Sequence, residues 1–185
     1  MAKIFHALFA STMMRSGGFA ITDTAASHPA TLLLSDALMF VGGGSASTAG
    51  GIKVTTLAVI VLAITAEARG DKEVLISHRT IPSQSLRVAI SVTFLGATLV
   101  LGATTTIMIA NPTVGLDRIL FETISAFATC GLSIGLSAEL DATGKCVLTA
   151  LMLVGRIGPM GLASALALKQ RKLLYRLPEE RPIIG

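Results

Sequence analysis

The residues of this sequence that could do chemistry are few, and they sit among apolar ones. Residues 41–56 read Val-Gly-Gly-Gly-Ser-Ala-Ser-Thr-Ala-Gly-Gly-Ile-Lys-Val-Thr-Thr, glycines and small hydroxyls with one lysine. A phosphate-binding loop needs Gly, Lys and Ser/Thr in succession, but Ile52 separates Gly51 from Lys53 and Val54 follows the lysine. A nucleophile elbow needs Gly-x-Ser-x-Gly, and Gly43-Gly44-Ser45-Ala46-Ser47 lacks the last glycine. His6, His28 and His78 show no ligand spacing, and Cys130 and Cys146 form no metal or disulfide framework. No nucleophile–base pair stands out, so the sequence does not read as an enzyme. The remaining chemistry is that of peptide carbonyls, which can replace the hydration shell of a cation.

Two short stretches suit that chemistry. Arg15-Ser16-Gly17-Gly18-Phe19 follows an apolar helical segment, residues 4–14, too short to cross a bilayer. Thr129-Cys130-Gly131-Leu132-Ser133 follows a second one, residues 117–128, which opens on Asp117. A negative charge favours a helix N-terminus. Both stretches read helix, then hydroxyl, small residue, glycine and apolar residue, an internal repeat. Glycine permits backbone angles that aim carbonyls inward, and the helix C-terminus adds partial negative charge. The repeat unit is span, pore helix, filter turn, span. The second copy is complete and the first lacks its leading span. Two turns make half of a filter that needs several around one axis.

Elements able to position such turns must lie in a membrane. The chain is 52% hydrophobic and 14% charged, with a mean hydropathy of +0.74, against about 25% charged residues in soluble domains. Trp is absent and Tyr occurs once, so the aromatic belt is thin. A cleavable signal peptide is not expected, because the start lacks an apolar core followed by a small-residue cleavage site. The glycine run 42–51 interrupts an apolar stretch from Ala30 to Ala68 that exceeds the roughly 20 residues of a span. Five glycines in ten residues, each costing about 1 kcal/mol against alanine, do not hold a regular helix. This predicts a transmembrane helix broken at mid-depth, where irregular backbone is tolerated only inside protein or along a water-filled path. A close-packing face of small residues is the plainer alternative. Further spans are predicted over Val88–Ala110, closed by Asn111-Pro112, and Cys146–Leu168, interrupted by Gly155-Arg156-Ile157-Gly158-Pro159.

The net charge of +4 is spread beside the apolar segments, where it sets orientation and does not form a nucleic-acid face. Of the fifteen Lys and Arg, four lie in residues 69–87 and five in the tail. Four more lie on the opposite side (Lys3, Arg15, Arg118, Lys145), and Lys53 and Arg156 fall within spans. That bias puts the 69–87 loop and the C-terminus in the cytoplasm, with both helix–glycine hairpins entering from outside. Arg156 within the last span is expensive there and functional by default. It reads as a positive barrier contacting the 42–51 loop carbonyls, or as a tie between helices. Glu122 reads as a cap for backbone N–H groups of the second turn, or as an attractor of cations. Lys53 is expected to snorkel toward the cytoplasmic interface.

Taken together, these residues resemble the Trk/Ktr/HKT potassium transporter superfamily, and within it the C-terminal half of a Ktr-type membrane subunit. Gly42-Gly43-Gly44-Ser45-Ala46-Ser47-Thr48-Ala49-Gly50-Gly51-Ile52-Lys53 is similar to the family's intramembrane gating loop. Arg15–Phe19 resembles its third filter, and Phe121-Glu122 through Ser133 its fourth. Gly155–Pro159 resembles its last helix, and Arg181-Pro182-Ile183-Ile184-Gly185 the Ktr-type C-terminus. The resemblance implies an all-α membrane protein of span–pore-helix–span repeats with re-entrant filter loops and a broken transmembrane helix. It implies a partial third repeat over 1–68, a cytoplasmic loop over 69–87, a fourth repeat over 88–168 and a cytoplasmic tail over 169–185. Main-chain carbonyls of Ser16, Gly17, Gly18, Phe19, Thr129, Cys130, Gly131 and Leu132 would hold K⁺ at the filter, with residues Gly42 to Gly51 as the gate and Arg156 as the pore barrier. K⁺ would be the transported ion, Na⁺ a possible coupling ion, and no cofactor covalent. The implied partners are the missing N-terminal half of the pore, a second copy in a homodimer, a cytosolic nucleotide-binding regulatory ring and the bilayer, with no nucleic acid. The function implied is gated potassium uptake through the cytoplasmic membrane. A sodium-selective or Na⁺/K⁺ member of the same superfamily and a non-conducting structural membrane subunit are the alternatives.

Overall fold

Long apolar runs punctuated by glycine, proline and Asx residues set where this chain coils into helices. A computed structural model describes residues 2–44, 49–71, 73–76, 79–158 and 161. It contains α1 (Ala2–Met13), α2 (Pro29–Phe40), α3 (Val54–Arg69), β1 (Leu75–Ile76), β2 (Arg79–Thr80), α4 (Ser83–Ala110), α5 (Leu116–Phe127), α6 (Leu136–Glu139) and α7 (Ala142–Ile157). The described chain is thus mostly helical. The small antiparallel hairpin, with Leu75 opposite Thr80, lies in the charged segment expected only as a loop.

Local chemistry explains most helix ends. α2 starts with Pro29 in its first turn, and the His28 imidazole Nδ1 accepts the Ala30 N–H at 3.2 Å. Proline suits that position because its missing N–H would have no helical partner. α4 ends at Ala110 with Asn111 as its cap, directly before Pro112. It begins at Ser83, five residues before the predicted span, because the polar Ser83–Arg87 turn continues the helix beyond its apolar stretch. The polar region before Cys146 is more ordered than its composition suggests. It holds α6 and the first turn of α7, where the Asp141 carboxylate accepts the Gly144 N–H at 2.8 Å. That bond holds the Asp141 carboxyl below its ordinary value of 3.8. α7 runs unbroken through Gly155 and Arg156 and ends at Ile157 with Gly158 as its cap, so of the expected interruption the described break comes at Gly158, while Pro159 lies outside the described residues. The end of the predicted last span and the whole tail, residues 162–185, lie outside the described residues.

α5 is the central strut. It packs against α2, α4 and α7 and is buried from Phe121 to Phe127. Phe121, Phe127, Met39, Ile107, Ile119 and Leu136 are the largest fully buried side chains around it. The rings of Phe40 and Phe127 lie 6.1 Å apart, joining the end of α2 to the end of α5. α4 and α5 are joined by a buried hydroxyl pair, Thr104 to Thr123 at 2.9 Å. The α4 threonines 93, 98, 104, 105 and 106 each donate to the carbonyl four residues back. Their hydroxyls are therefore satisfied inside the helix itself, as an apolar surrounding requires. Outward positions of α4 are large and apolar, with Phe94 72% and Ile109 78% exposed. Among the described residues, α4 is the one helix long and apolar enough to cross a membrane.

Candidate functional site

Two turns meet, one after α1 and one after α5. After α1, the N–H groups of Gly17 and Gly18 both donate to the Met13 carbonyl, at 3.0 and 3.1 Å. After α5, Ala128 N–H reaches the Ile124 carbonyl at 2.8 Å and Cys130 N–H the Ser125 carbonyl at 3.0 Å. Each turn then places a hydroxyl residue and, two positions on, a glycine at positive φ: Ser16 at 79° and Gly18 at 70°, Thr129 at 51° and Gly131 at 88°. For glycine this region is free. For a β-branched residue such as Thr129 it is an outlier costing about 1–3 kcal/mol, sustained only where the surroundings impose it.

The turns touch through backbone. A Cβ on Gly18 would lie 2.5 Å from the Cys130 carbonyl oxygen, and one on Gly131 would lie 3.8 Å from Gly18 Cα. The Ser16 hydroxyl donates to the Thr129 carbonyl at 3.4 Å, and the buried Cys130 thiol is placed against the Met13 and Met14 carbonyls at 3.4 and 3.3 Å. Ser16, Gly17, Gly18, Thr129, Cys130, Gly131 and Leu132 thus belong to one cluster. Phe19 is 72% exposed and borders a small cavity together with Met13, Met14 and Leu132.

Behind the second turn, Glu122 is 6% exposed, and its Oε1 accepts the Ile134 N–H at 3.1 Å and the Ser133 hydroxyl. Of its two expected roles, this is the capping one. The Ser125 hydroxyl binds the Leu132 carbonyl, so that oxygen already holds a protein partner.

The glycine run 42–51 is not helical where it is described. Its legs are pinched together: Val41 bridges Ile52, the Gly42 N–H donates to the Ile52 carbonyl at 2.8 Å, and the Val54 N–H to the Gly43 carbonyl at 3.2 Å. Lys53, expected to extend toward an interface, turns back and donates to the Ala49 carbonyl. Ser45, Ala46, Ser47 and Thr48 lie outside the described residues. The returning leg meets the second turn directly. The Gly50 N–H donates to Thr129 Oγ1 at 2.9 Å, and a Cβ on Gly50 would lie 2.7 Å from that side chain and 2.9 Å from the Gly155 carbonyl. A Cβ on Gly51 would lie 3.2 Å from Ala128 Cα, and one on Gly155 would overlap the Phe127 carbonyl. Three glycines therefore let loop, turn and α7 touch at backbone distance. Arg156 borders a hollow of about 620 Å³ that it shares with Glu122, Thr129, Gly131 and Met152.

Two residues were not singled out from the sequence. His28 caps α2. Asp36 is buried on the same helix, 5% exposed, with Oδ1 lacking a hydrogen-bond partner among the described residues. A carboxylate within the apolar run 30–40 is the signal that would have marked it.

Known proteins share this sequence at length. The model of the TrkH family, described as cation transport protein, matches residues 2–174. The Ktr system potassium uptake protein D of Bacillus subtilis is 40% identical over 98% of this chain and 40% of its own length. The Ktr system potassium uptake protein B of Vibrio alginolyticus is 36% identical over 97% of this chain and 39% of its own length. The potassium/sodium uptake protein NtpJ of Enterococcus hirae is 34% identical over 99% of this chain and 42% of its own length. The chain spans about 40% of the length of these relatives. Such a family is one of membrane transporters and not of enzymes. Matches over nearly the whole chain, a span that includes the turn cluster, mean that the chain belongs to the TrkH family of cation transport proteins.

Proposed function

We propose that this chain forms part of the wall of a potassium path. Residues 16–19 and 129–132 line a filter of main-chain carbonyls, and residues 42–51 form a gate beneath it. One observation carries the reading: two helix-terminated glycine turns pack on each other, and one of them is hydrogen-bonded to the glycine run. Carbonyls at such turns offer a dehydrated cation oxygen ligands, and the C-terminal ends of α1 and α5 add negative potential. K⁺ is the ion favoured, because relatives are named for its uptake. A sodium-accepting path is the second reading, favoured by the relative named for both ions.

In this reading α2, residues 41–53 and α3 are one broken membrane helix, residues 1–68 and 88–168 are two pore repeats, and the C-terminus is cytoplasmic. The remainder of the pore comes from sequence the relatives carry beyond the matched region. A second copy of the membrane subunit and a cytosolic nucleotide-binding ring are the further partners. Arg156 acts as a positive barrier beneath the filter. The test is rescue of a potassium-uptake-deficient cell by the full-length protein containing this chain, with Rb⁺ and Na⁺ fluxes compared. Uptake that disappears with Gly131→Ser supports the filter, and altered flux with Arg156→Ala supports the barrier. Growth rescue undiminished by Gly131→Ser overturns the filter reading.

A further inference from the structure

Thr129 occupies an unusual position. Its carbonyl receives the Ser16 hydroxyl of the other turn, its side-chain oxygen receives the Gly50 N–H of the glycine run, and its own backbone sits at φ 51°. We propose that the Thr129 hydroxyl is a positioning residue that couples the glycine run to the cation-binding turns, so that displacement of the run alters the turn as well as clearing the path. This rests on the reading under "Proposed function" and adds to it a side chain where that reading uses main-chain carbonyls alone.

The geometry points to coupling and not to mere packing. A β-branched residue in the left-handed region holds that conformation only while its neighbours impose it. On the side of the glycine run, the described hydrogen bond to Thr129 is the one from Gly50. Withdrawal of residues 49–51 removes that bond and frees the space where Gly50, Thr129 and the Gly155 carbonyl meet. The Thr129 backbone is then free to relax. Its carbonyl, shared with Ser16, moves with it, and the contact between the two turns follows.

Rb⁺ uptake by the full-length protein tests this with Thr129→Val, which keeps the shape and loses the acceptor, and Thr129→Ser, which keeps the acceptor. Each is made in the parent and in a form lacking residues 45–48, and membrane-assembled protein is quantified for every variant. Thr129→Ala, which removes the acceptor with less bulk, runs alongside in case valine disturbs packing. The coupling predicts a roughly two- to tenfold rise in uptake per assembled protein with Thr129→Val in the parent, the worth of one net hydrogen bond. It predicts little further change in the shortened form, and near-parental uptake with Thr129→Ser. Equal effects of Thr129→Val in both forms, a fall in uptake common to both, or a Thr129→Ser variant behaving like valine overturns it. A parent that takes up no Rb⁺ above the empty host overturns the underlying transport reading and this proposal with it.

Discussion

At the scale of single residues, polar groups in the apolar interior are used to hold turns in shape. Glu122 shows this most directly. Its buried carboxylate serves the Ile134 N–H and the Ser133 hydroxyl, both within the loop that follows Gly131. Glu122→Ala leaves a buried amide without a partner, which costs about 1–3 kcal/mol. Glu122→Gln keeps an acceptor oxygen in the same place. The expected outcome is a lowered unfolding midpoint in detergent for the alanine variant and most of it restored for glutamine. A thermal-shift series on purified protein checks this. The capping role was legible from the helix position of Glu122 before a glycine turn. The tie between Thr129 and Gly50 was not, because the partners are 79 residues apart and neither type announces the other.

At the scale of elements, helix boundaries follow cap chemistry more closely than apolar periodicity. α4 and α7 each begin before their apolar stretches, at a turn that follows Pro82 and at the Asp141 cap. The Asp141 bond has a pH signature. Its folded-state pKa lies below the ordinary 3.8 because the charged form accepts the Gly144 N–H. The stabilisation is therefore present above that value and is lost as pH falls through the lower, folded-state value. Asp141→Ala is expected to lower the unfolding midpoint at pH 7, with the gap from the parent closing as pH is taken down through the carboxylate range, about 4 and below. A constant gap across that range would mean the carboxylate is not what stabilises the start of α7. The short helices, the Asn111-Pro112 stop and the non-helical course of the described part of the glycine run were all readable from residue types. The hairpin at 75–80 was not, since two-residue strands carry no period to detect.

At the scale of the whole molecule, small residues decide which elements meet. Gly155 on α7 faces the Phe127 carbonyl at the end of α5 so closely that no Cβ fits, and its own carbonyl lies against Gly50. The end of α5, the glycine run and the last helix therefore converge on one residue of α7. Gly155→Ala must push α7 outward or distort the turn at 128–131. Overpacking of this kind costs about 1–3 kcal/mol or more when the obstacle is backbone. The expected result is reduced assembly, together with a changed Rb⁺-to-Na⁺ flux ratio in whatever protein does assemble. Gly102→Ala on α4, where a Cβ would meet nothing, serves as the neutral control. Normal assembly with an unchanged flux ratio for Gly155→Ala would show that α7 does not press on the turn cluster.

The sequence by itself narrowed the chemistry to look for: few charges, no evident nucleophile–base pair, and glycine turns after short apolar helices whose peptide oxygens are candidate ligands. Those properties are local. Hydrophobic length, glycine's freedom and proline's constraints act within a few residues, so they can be read along the chain. Only the tertiary structure decided that the turn after α1 lies on the turn after α5, with Cys130 reaching a carbonyl 117 residues away, and that the glycine run bonds to the Thr129 hydroxyl of the second turn. Such contacts depend on how closely helices approach one another. That closeness is set where glycine meets backbone across the fold, a condition that no stretch of sequence contains alone.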